Sequence, residues 1–281
     1  MMRWLAVIAL AAAIAAGIWS TRPAPRAGIA PQVTQAHAAL SGLGAGDFVL
    51  LAVDFDPASV PELSPFVRLT LDIALMRGAR VVTLSLSPHG AMLAERYLRE
   101  ALADRKGTYG RDAMNLGFIE GRGTAVHLTG MPLQRMASRD HAGNLLGDLP
   151  LASDIARLSD AALFVVASSG SPGAFDWLMQ GQGRFAKGLL LATTSHEGPE
   201  LAAFYASGQL SGLVAGARDV SAFADLAAND PRLHTDPSSA SHLRGLAEQM
   251  RAHRWAHLAL VLCLVIGQGV TSWRGRKKGA A

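Results

Sequence analysis

The sequence predicts an α/β domain built on a mostly parallel, doubly wound sheet, a three-layer sandwich of the Rossmann-like or flavodoxin-like kind, flanked by two transmembrane helices. Two observations lead to this prediction. Short apolar runs alternate with amphipathic stretches through the middle of the chain, as in successive βαβ units. An apolar run also lies near each end of the 281 residues, half of which are hydrophobic.

The first of these terminal runs covers residues 4–19 and follows Arg3. It fits either the apolar core of a signal peptide or a short membrane anchor. No convincing small-x-small cleavage site follows it, so we expect an uncleaved anchor over residues 1–20. Residues 21–45 are rich in proline and alanine, which favours an extended linker between the anchor and the domain.

The second terminal run extends from Trp255 to Trp273 and contains no Asp, Glu, Lys or Arg. As a helix it would be roughly 27 Å long, which matches a bilayer core with tryptophan at both interfaces. The amphipathic residues 238–254 precede it as a predicted juxtamembrane helix, and a basic tail, residues 274–281, follows it. Because positive charge stays inside, we expect a cytoplasmic C-terminus and a main domain on the outer side of the membrane.

The predicted domain covers residues 46–237. Its predicted strands are residues 48–53, 80–86, 124–128, 163–167 and 189–192. Its predicted helices are residues 63–76, 91–104, 151–158, 175–179 and 200–206. Ligands of such sheets bind beyond the carboxyl ends of the strands, so the polar residues at those ends are the candidates for chemistry.

Two aspartates follow the first predicted strand, and a serine follows the second. Asp54 and Asp56 resemble motif I of the haloacid-dehalogenase-like phosphatases, and Ser87 resembles the second motif of that family. The resemblance implies attack on phosphorus by the first carboxylate and a magnesium ion held by the pair. Pro57 and Ala58 depart from the family pattern, and its lysine and terminal acidic pair have no counterpart in suitable places. Without that chemistry the same carboxylates are helix caps and turn formers, and no cofactor is expected.

Serines also follow the fourth predicted strand. Ser169 and Ser171 lie in a turn, and His89, His127 and His196 are possible partners for a nucleophilic serine. The sequence has no G-x-S-x-G motif, and a serine in such a turn is more often a helix cap. We therefore assign Ser169, Ser171 and His196 to ligand or partner contact.

Metal and cysteine chemistry have little support in the sequence. His196 with Glu197, and Asp140 with His141, are adjacent pairs, which do not face one site as helical i, i+4 histidines do. We therefore expect no metal site outside the phosphatase interpretation. The single cysteine, Cys263, lies in the second apolar run, so the chain forms no internal disulfide.

A glycine-rich loop, residues 109–118, mixes aromatic and charged side chains before the third predicted strand. It is either a binding or docking loop at the rim of the sheet or a structural loop whose glycines allow positive φ. The residues that would make contact in the first case are Tyr109, Arg111, Asp112 and Asn115.

Three segments, Val53–Pro57, Tyr109–Phe118 and Ser207–Leu213, resemble a group of bacterial membrane proteins that carry an extracytoplasmic α/β domain between N- and C-terminal transmembrane segments. No activity is assigned to that group. The resemblance implies a bacterial origin and the two-anchor layout. Together with the positive residues after the second apolar run, this layout predicts the inner, cytoplasmic membrane as the location, with the domain on the periplasmic or extracellular side.

These observations lead to two functional hypotheses. The first is a non-catalytic interaction or assembly component of the bacterial cell envelope, with a protein partner or a second copy of itself bound in the membrane. Gly267 and Gly269 permit such close helix contact. The alternative is a membrane-anchored, phosphatase-like hydrolase that uses Asp54 and Asp56, so whether the chain is an enzyme stays open. No Lys/Arg block lies in the central region, so we expect no nucleic-acid partner.

Overall fold

A computed structural model describes residue 12 and residues 28–181, 188–234 and 241–250 of the chain. Within these residues six parallel strands form one sheet. The strands are β1 (Phe48–Asp54), β2 (Arg80–Ser85), β3 (Ala113–Phe118), β4 (Leu163–Ser168), β5 (Leu189–Thr193) and β6 (Gly212–Ala215). Their order is β3-β2-β1-β4-β5-β6, so the two halves of the sheet grow outward from β1 and β4. This is the Rossmann-like order rather than the flavodoxin-like one.

Helices cover both faces of the sheet. They are α1 (Pro31–Ser41), α2 (Val60–Met76), α3 (Pro88–Arg105), α4 (Gly123–Leu128), α5 (Leu133–Met136), α6 (Pro150–Asp154), α7 (Ala174–Gly181), α8 (Gly198–Ala206), α9 (Gly216–Ala228) and α10 (residues 241–250). The cluster on one face contains buried side chains of α1, α2, α3, α9 and α10. The cluster on the other face contains those of α4 to α8.

The strands form where the sequence supplies apolar side chains to both faces. In β1, Val49 and Leu51 belong to the first cluster, and Leu50 and Ala52 belong to the second. A parallel sheet covered by helices on both sides requires such a continuous apolar run, because neither face of the strand meets water. The same pattern correctly predicted β1, β2, β4 and β5, and the predicted α/β class is confirmed.

The prediction of the third strand was wrong. Residues 124–128 lie within helix α4, and the third strand is Ala113–Phe118, part of the segment interpreted as a loop. Asn115 and Gly117 interrupt the apolar run of that strand and concealed it. The structure accommodates Asn115 in the interior because its side-chain amide donates to the carbonyl of Ala91 at 3.2 Å.

Three further elements differ from the sequence prediction. Helix α1 lies within the predicted linker, residues 21–45, and its Val33, Ala36 and Leu40 are fully buried against the domain. The linker prediction is therefore wrong over this helix. The short strand β6 and helix α9 were not predicted, since Gly212 opens the strand and Gly216 follows it directly.

The predicted membrane segments lie outside the described residues, apart from residue 12. Among the residues that the structure describes, no helix is long and apolar enough to cross a bilayer. The prediction of spanning helices at residues 1–20 and 255–273 therefore stays a prediction. Of the predicted juxtamembrane helix, the part at residues 241–250 is helical.

Candidate functional site

The carboxyl edge of the sheet brings together the candidate residues that follow the strands. β1 and β4 are neighbours there, and the last pair in their register is Asp54 with Ser168. The chain leaves these two strands toward opposite faces, into α2 after β1 and into α7 after β4. Such a divergence of connections is where open α/β sheets place a ligand crevice.

Asp54 lies at this point and is fully enclosed. Its side chain is 1% exposed, and both carboxylate oxygens accept hydrogen bonds. Oδ1 accepts from the backbone N–H of Leu86 at 2.6 Å and lies 3.1 Å from Ser85 Oγ. Oδ2 accepts from Trp177 Nε1 at 2.7 Å. The carboxylate therefore joins the end of β1 to the loop after β2 and to α7.

Burial raises the pKa of Asp54 from its ordinary 3.8 to about 6. The hydrogen bonds from Leu86, Trp177 and Ser85 oppose this rise because they favour the ionised form, and the nearby charge of Asp176 adds to it. A raised pKa at the carboxyl edge of a parallel sheet is typical of functional carboxylates, although structural networks also produce it.

Asp56 has a different surrounding. It is exposed, and its Oδ1 accepts from the backbone N–H groups of Ala58 at 3.0 Å and Ser59 at 3.2 Å, so it caps the single turn of 3₁₀ helix before α2. Ser59 Oγ in turn lies 2.7 Å from Ser169 Oγ across the gap between the β1 and β4 loops. The two loops are thus joined by a pair of hydroxyl groups.

Two glutamates, neither of them a candidate from the sequence, complete this edge. Glu197 accepts from the backbone N–H of Gly170 at 2.6 Å and from Thr193 Oγ1 at 2.5 Å, and so joins the β4 and β5 loops. Glu62 Oε1 accepts from the N–H of Ser195 at 2.8 Å and from its hydroxyl at 2.7 Å, and so joins α2 to the β5 loop. Each carboxylate therefore connects two segments of the edge.

The other predicted residues of this edge lie close by in the fold but make few contacts with the carboxylates. Ser87 precedes α3, and its N–H donates to Ser85 Oγ at 2.9 Å. Ser171 and His196 are exposed in the loops that follow β4 and β5. These three residues share the carboxyl edge with Asp54 and Asp56, as the sequence predicted.

The remaining candidates lie elsewhere. Tyr109, Arg111 and Asp112 precede β3 and therefore lie toward the amino end of the sheet. Tyr109 donates to Asp140 Oδ2 at 2.8 Å, with the guanidinium carbon of Arg99 3.8 Å from the centre of its ring. Arg111 and Asp112 form an ion pair with each other at 3.2 Å.

Asn115 lies inside β3 and is fully buried. Its amide donates to Glu95 Oε2 at 3.0 Å, and its Oδ1 accepts from the N–H of Gly117 at 2.9 Å. Together with Tyr109 it joins the edge strand to α3 and to the loop around Asp140. Tyr109 and Asn115 therefore belong to an internal network that is separate from the carboxyl edge, whereas Arg111 is exposed.

The arrangement of Asp54 and Asp56 does not fit a magnesium ion. The oxygens of Asp54 face donors, namely the N–H groups of Trp177 and Leu86 and the hydroxyl of Ser85, where a cation would need free lone pairs. Within the described residues, no group of three or more histidine, cysteine or acidic side chains is arranged to hold a metal ion. We therefore derive no step through magnesium.

The partner of Asp54 could not be read from the sequence, because Trp177 lies 123 residues away. One signal was available. Trp177 is the only tryptophan between residues 46 and 237, and it lies in the helix that directly follows β4. A tryptophan buried at that position needs an acceptor for its indole N–H. The carboxylate of Asp54, at the end of the neighbouring strand β1, can accept that hydrogen bond.

Comparisons of this chain with protein-family models, with curated protein sequences and with solved structures found no match.

Proposed function

We propose that the chain is a membrane-tethered, non-catalytic interaction or assembly component of the bacterial cell envelope, with its α/β domain on the outer side of the inner membrane. The observation that carries this proposal is the state of Asp54. The carboxylate best placed for chemistry is 1% exposed and accepts hydrogen bonds on both oxygens, so it acts as a cross-link between strands and helix.

Other carboxylates along the carboxyl edge also hold neighbouring segments together through hydrogen bonds. Asp56 caps a turn, while Glu62 and Glu197 bind backbone N–H groups of neighbouring loops. A nucleophile or general base must reach its substrate through an unoccupied oxygen. Carboxylates that fix loops instead give a rigid surface, which is what a protein that recognises a partner requires.

The membrane part of the proposal depends on the sequence. The uncharged run from Trp255 to Trp273 has the length and the aromatic ends of a spanning helix, and a basic tail follows it. The described part of helix α10 reaches residue 250, five residues before this run, and packs on the domain. A domain held close to a membrane helix in this way suits assembly with a neighbour.

The hydrolase alternative is favoured by one observation, the position of a carboxylate with a pKa raised to about 6 at the end of β1. We would assay the full chain in detergent for magnesium-dependent cleavage of p-nitrophenyl phosphate, as wild type, Asp54→Asn and Asp56→Asn. We expect no turnover from any of the three. Turnover by wild type that is lost in both variants would replace our proposal with the phosphatase.

The interaction itself needs a separate measurement. We would purify the tagged full chain in a mild detergent from the bacterium that encodes it and measure the mass of the complex by light scattering. We expect a mass above that of the monomer of 29.5 kDa, through a stoichiometric partner or a second copy. A monodisperse monomer at all concentrations tested would contradict the proposal.

A further inference from the structure

Helix α10 binds the domain through an apolar side and a polar contact. Leu243 and Ala247 are buried at 0% and 1% exposure, and they belong to the core cluster that also contains α2 and α3. The helix therefore closes one flank of the domain. It is also the last element that the structure describes before the apolar run from Trp255 to Trp273.

The polar contact is made to a buried carboxylate of α2. Asp72 is 3% exposed, and its Oδ2 lies 2.9 Å from Nε2 of His242 on α10. Its Oδ1 accepts from Nε of Arg105, the last residue of α3, at 3.1 Å. One buried acid thus binds the last residue of α3 and a histidine of α10, and of these two partners only the histidine titrates near neutral pH.

The charged and titratable groups that face His242 come from α2 and α3. A small cavity between α2, α3 and α10 is lined by these residues and a few apolar ones: Arg68, Asp72, Tyr97, Glu100, Asp104 and His242. Arg68 and Glu100 form an ion pair with each other. Arg105 forms an ion pair with Asp72. On α10 itself, Arg244 and Glu248 are exposed.

We propose that protonation of His242 controls the docking of α10, because the imidazolium binds the buried carboxylate of Asp72 and so holds the C-terminal segment against α2 and α3. The neutral imidazole can still donate one hydrogen bond to that carboxylate. The protonated ring adds the attraction of opposite charges in a partly buried place, which makes the bond about twice as strong.

The direction of the pH effect follows from the docked state. The hydrogen bond with Asp72 raises the pKa of His242, burial opposes this rise, and the charge of Asp72 adds to it. Among weaker influences, Arg105 lowers the pKa and Asp104 raises it. A histidine with a raised pKa in the docked state strengthens docking fully below its ordinary pKa of 6.5, and this gain is lost as the pH rises through the raised value.

The test is hydrogen exchange of α10 in the full chain in detergent micelles, read by mass spectrometry between pH 5.5 and 9 and corrected for the chemical exchange rate. In wild type we expect the opening equilibrium of residues 241–250 to rise by roughly fivefold from pH 6 to pH 8.5, the difference between a charge-assisted and a neutral hydrogen bond. The peptides of α9 report on the rest of the domain and should not follow this curve.

Three variants separate the effect of the contact between His242 and Asp72 from a general effect of pH. His242→Gln keeps a donor without a titration, so its opening equilibrium should not change with pH beyond the α9 reference. Asp72→Asn removes the acceptor charge and should flatten the curve as well. His196→Gln changes an exposed histidine on the carboxyl edge and should retain the wild-type curve. A flat curve in wild type, or a wild-type curve in His242→Gln, would overturn the proposal.

Discussion

At the scale of single residues, Asp54 shows how a buried charge connects local geometry to stability. The carboxylate has lost its water, and three donors, two at the end of β2 and one on α7, replace only part of that hydration. Its pKa is about 6 because burial raises the pKa by more than the hydrogen bonds lower it. The folded protein therefore holds a proton at Asp54 at a pH where the unfolded chain has released it.

This balance predicts a pH-dependent contribution to the free energy of unfolding. A pKa raised from 3.8 to about 6 favours the folded state below pH 4, and the gain is lost as the pH rises through about 6. Asp54→Asn cannot titrate, so the free energy of unfolding of wild type minus that of the variant should fall by about 2 kcal/mol from pH 4 to pH 8. Urea denaturation at five pH values measures this difference.

A neutral surface variant provides the control for that series. Gln35 is exposed on α1, so Gln35→Ala should follow wild type at each pH. If the difference between wild type and Asp54→Asn is instead constant across the range, Asp54 titrates alike in the folded and unfolded chains, and the carboxylate does not lose its hydration in the way the geometry indicates.

At the scale of secondary-structure elements, α3 packs on the sheet more closely than side chains normally permit. Gly90 lies in its first turn, and a Cβ added there would stand 1.8 Å from the carbonyl oxygen of Val53 and 2.4 Å from Ser85 Oγ. Backbone on one side and a buried hydroxyl on the other leave no room to adjust. The helix begins at this distance from β1 only because residue 90 is glycine.

We therefore expect Gly90→Ala to lower the free energy of unfolding by about 3 kcal/mol, the upper range for overpacking a core. The matched control is Gly147→Ala, because a Cβ at Gly147 would meet no atom within 4 Å. Thermal unfolding followed by circular dichroism distinguishes the two variants. An equal and small change in both would mean that α3 can move away from β1 without loss.

Helix α1 gives a second prediction at this scale, because the sequence assigned it to a linker. Leu40 is fully buried with Val33 and Ala36 in the cluster that also contains α9. Leu40→Ala should lower the free energy of unfolding by about 3 kcal/mol, as in other buried leucines, whereas Gln35→Ala on the exposed side should change it little. Equal stability of the two variants would mean that α1 does not pack on the domain and belongs to the linker.

At the scale of the whole molecule, the strands that could be predicted from the sequence are those whose apolar side chains are buried on both faces of the sheet. Strands β1, β4 and β5 are covered on both faces and consist almost wholly of apolar residues, and in β2 three of the six residues, Val81, Val82 and Leu84, are apolar and buried. The edge strand β3 contains Asn115, whose side-chain N–H groups donate to Ala91 and Glu95 on α3. A single sequence does not disclose such partners, so the strand resembled a loop.

The same limit applies to the carboxyl edge. Position along the chain was enough to place Asp54, Asp56, Ser87 and Ser171 together, because all parallel strands end at one edge. Whether a carboxylate is free or bound depends on residues far away in sequence. Trp177 and Leu86 enclose Asp54, and neither contact follows from a motif.

The arrangement of the chain relative to a membrane gives the last prediction. Four basic residues follow the uncharged run from Trp255 to Trp273, and positive charge next to a spanning helix stays in the cytoplasm. Green fluorescent protein fused after residue 281 should therefore fluoresce in a bacterial host, and alkaline phosphatase at the same site should be inactive. Alkaline phosphatase fused after residue 234 should be active, because it would lie outside.

The charges themselves can be tested against this arrangement. The four basic residues are Arg274, Arg276, Lys277 and Lys278. Replacing them with glutamine should reduce the fluorescence of the C-terminal fusion and raise the activity of alkaline phosphatase at that site, because the charge difference across the uncharged run is lost. Replacing Arg135, Arg157, Arg218 and Arg244 instead, four exposed basic residues away from that run, controls for net charge and should leave the reporters unchanged. If the C-terminal fusion instead fluoresces equally after the tail is neutralised, something other than these charges orients the chain, and the docking of α10 on the folded domain is then the next determinant to alter.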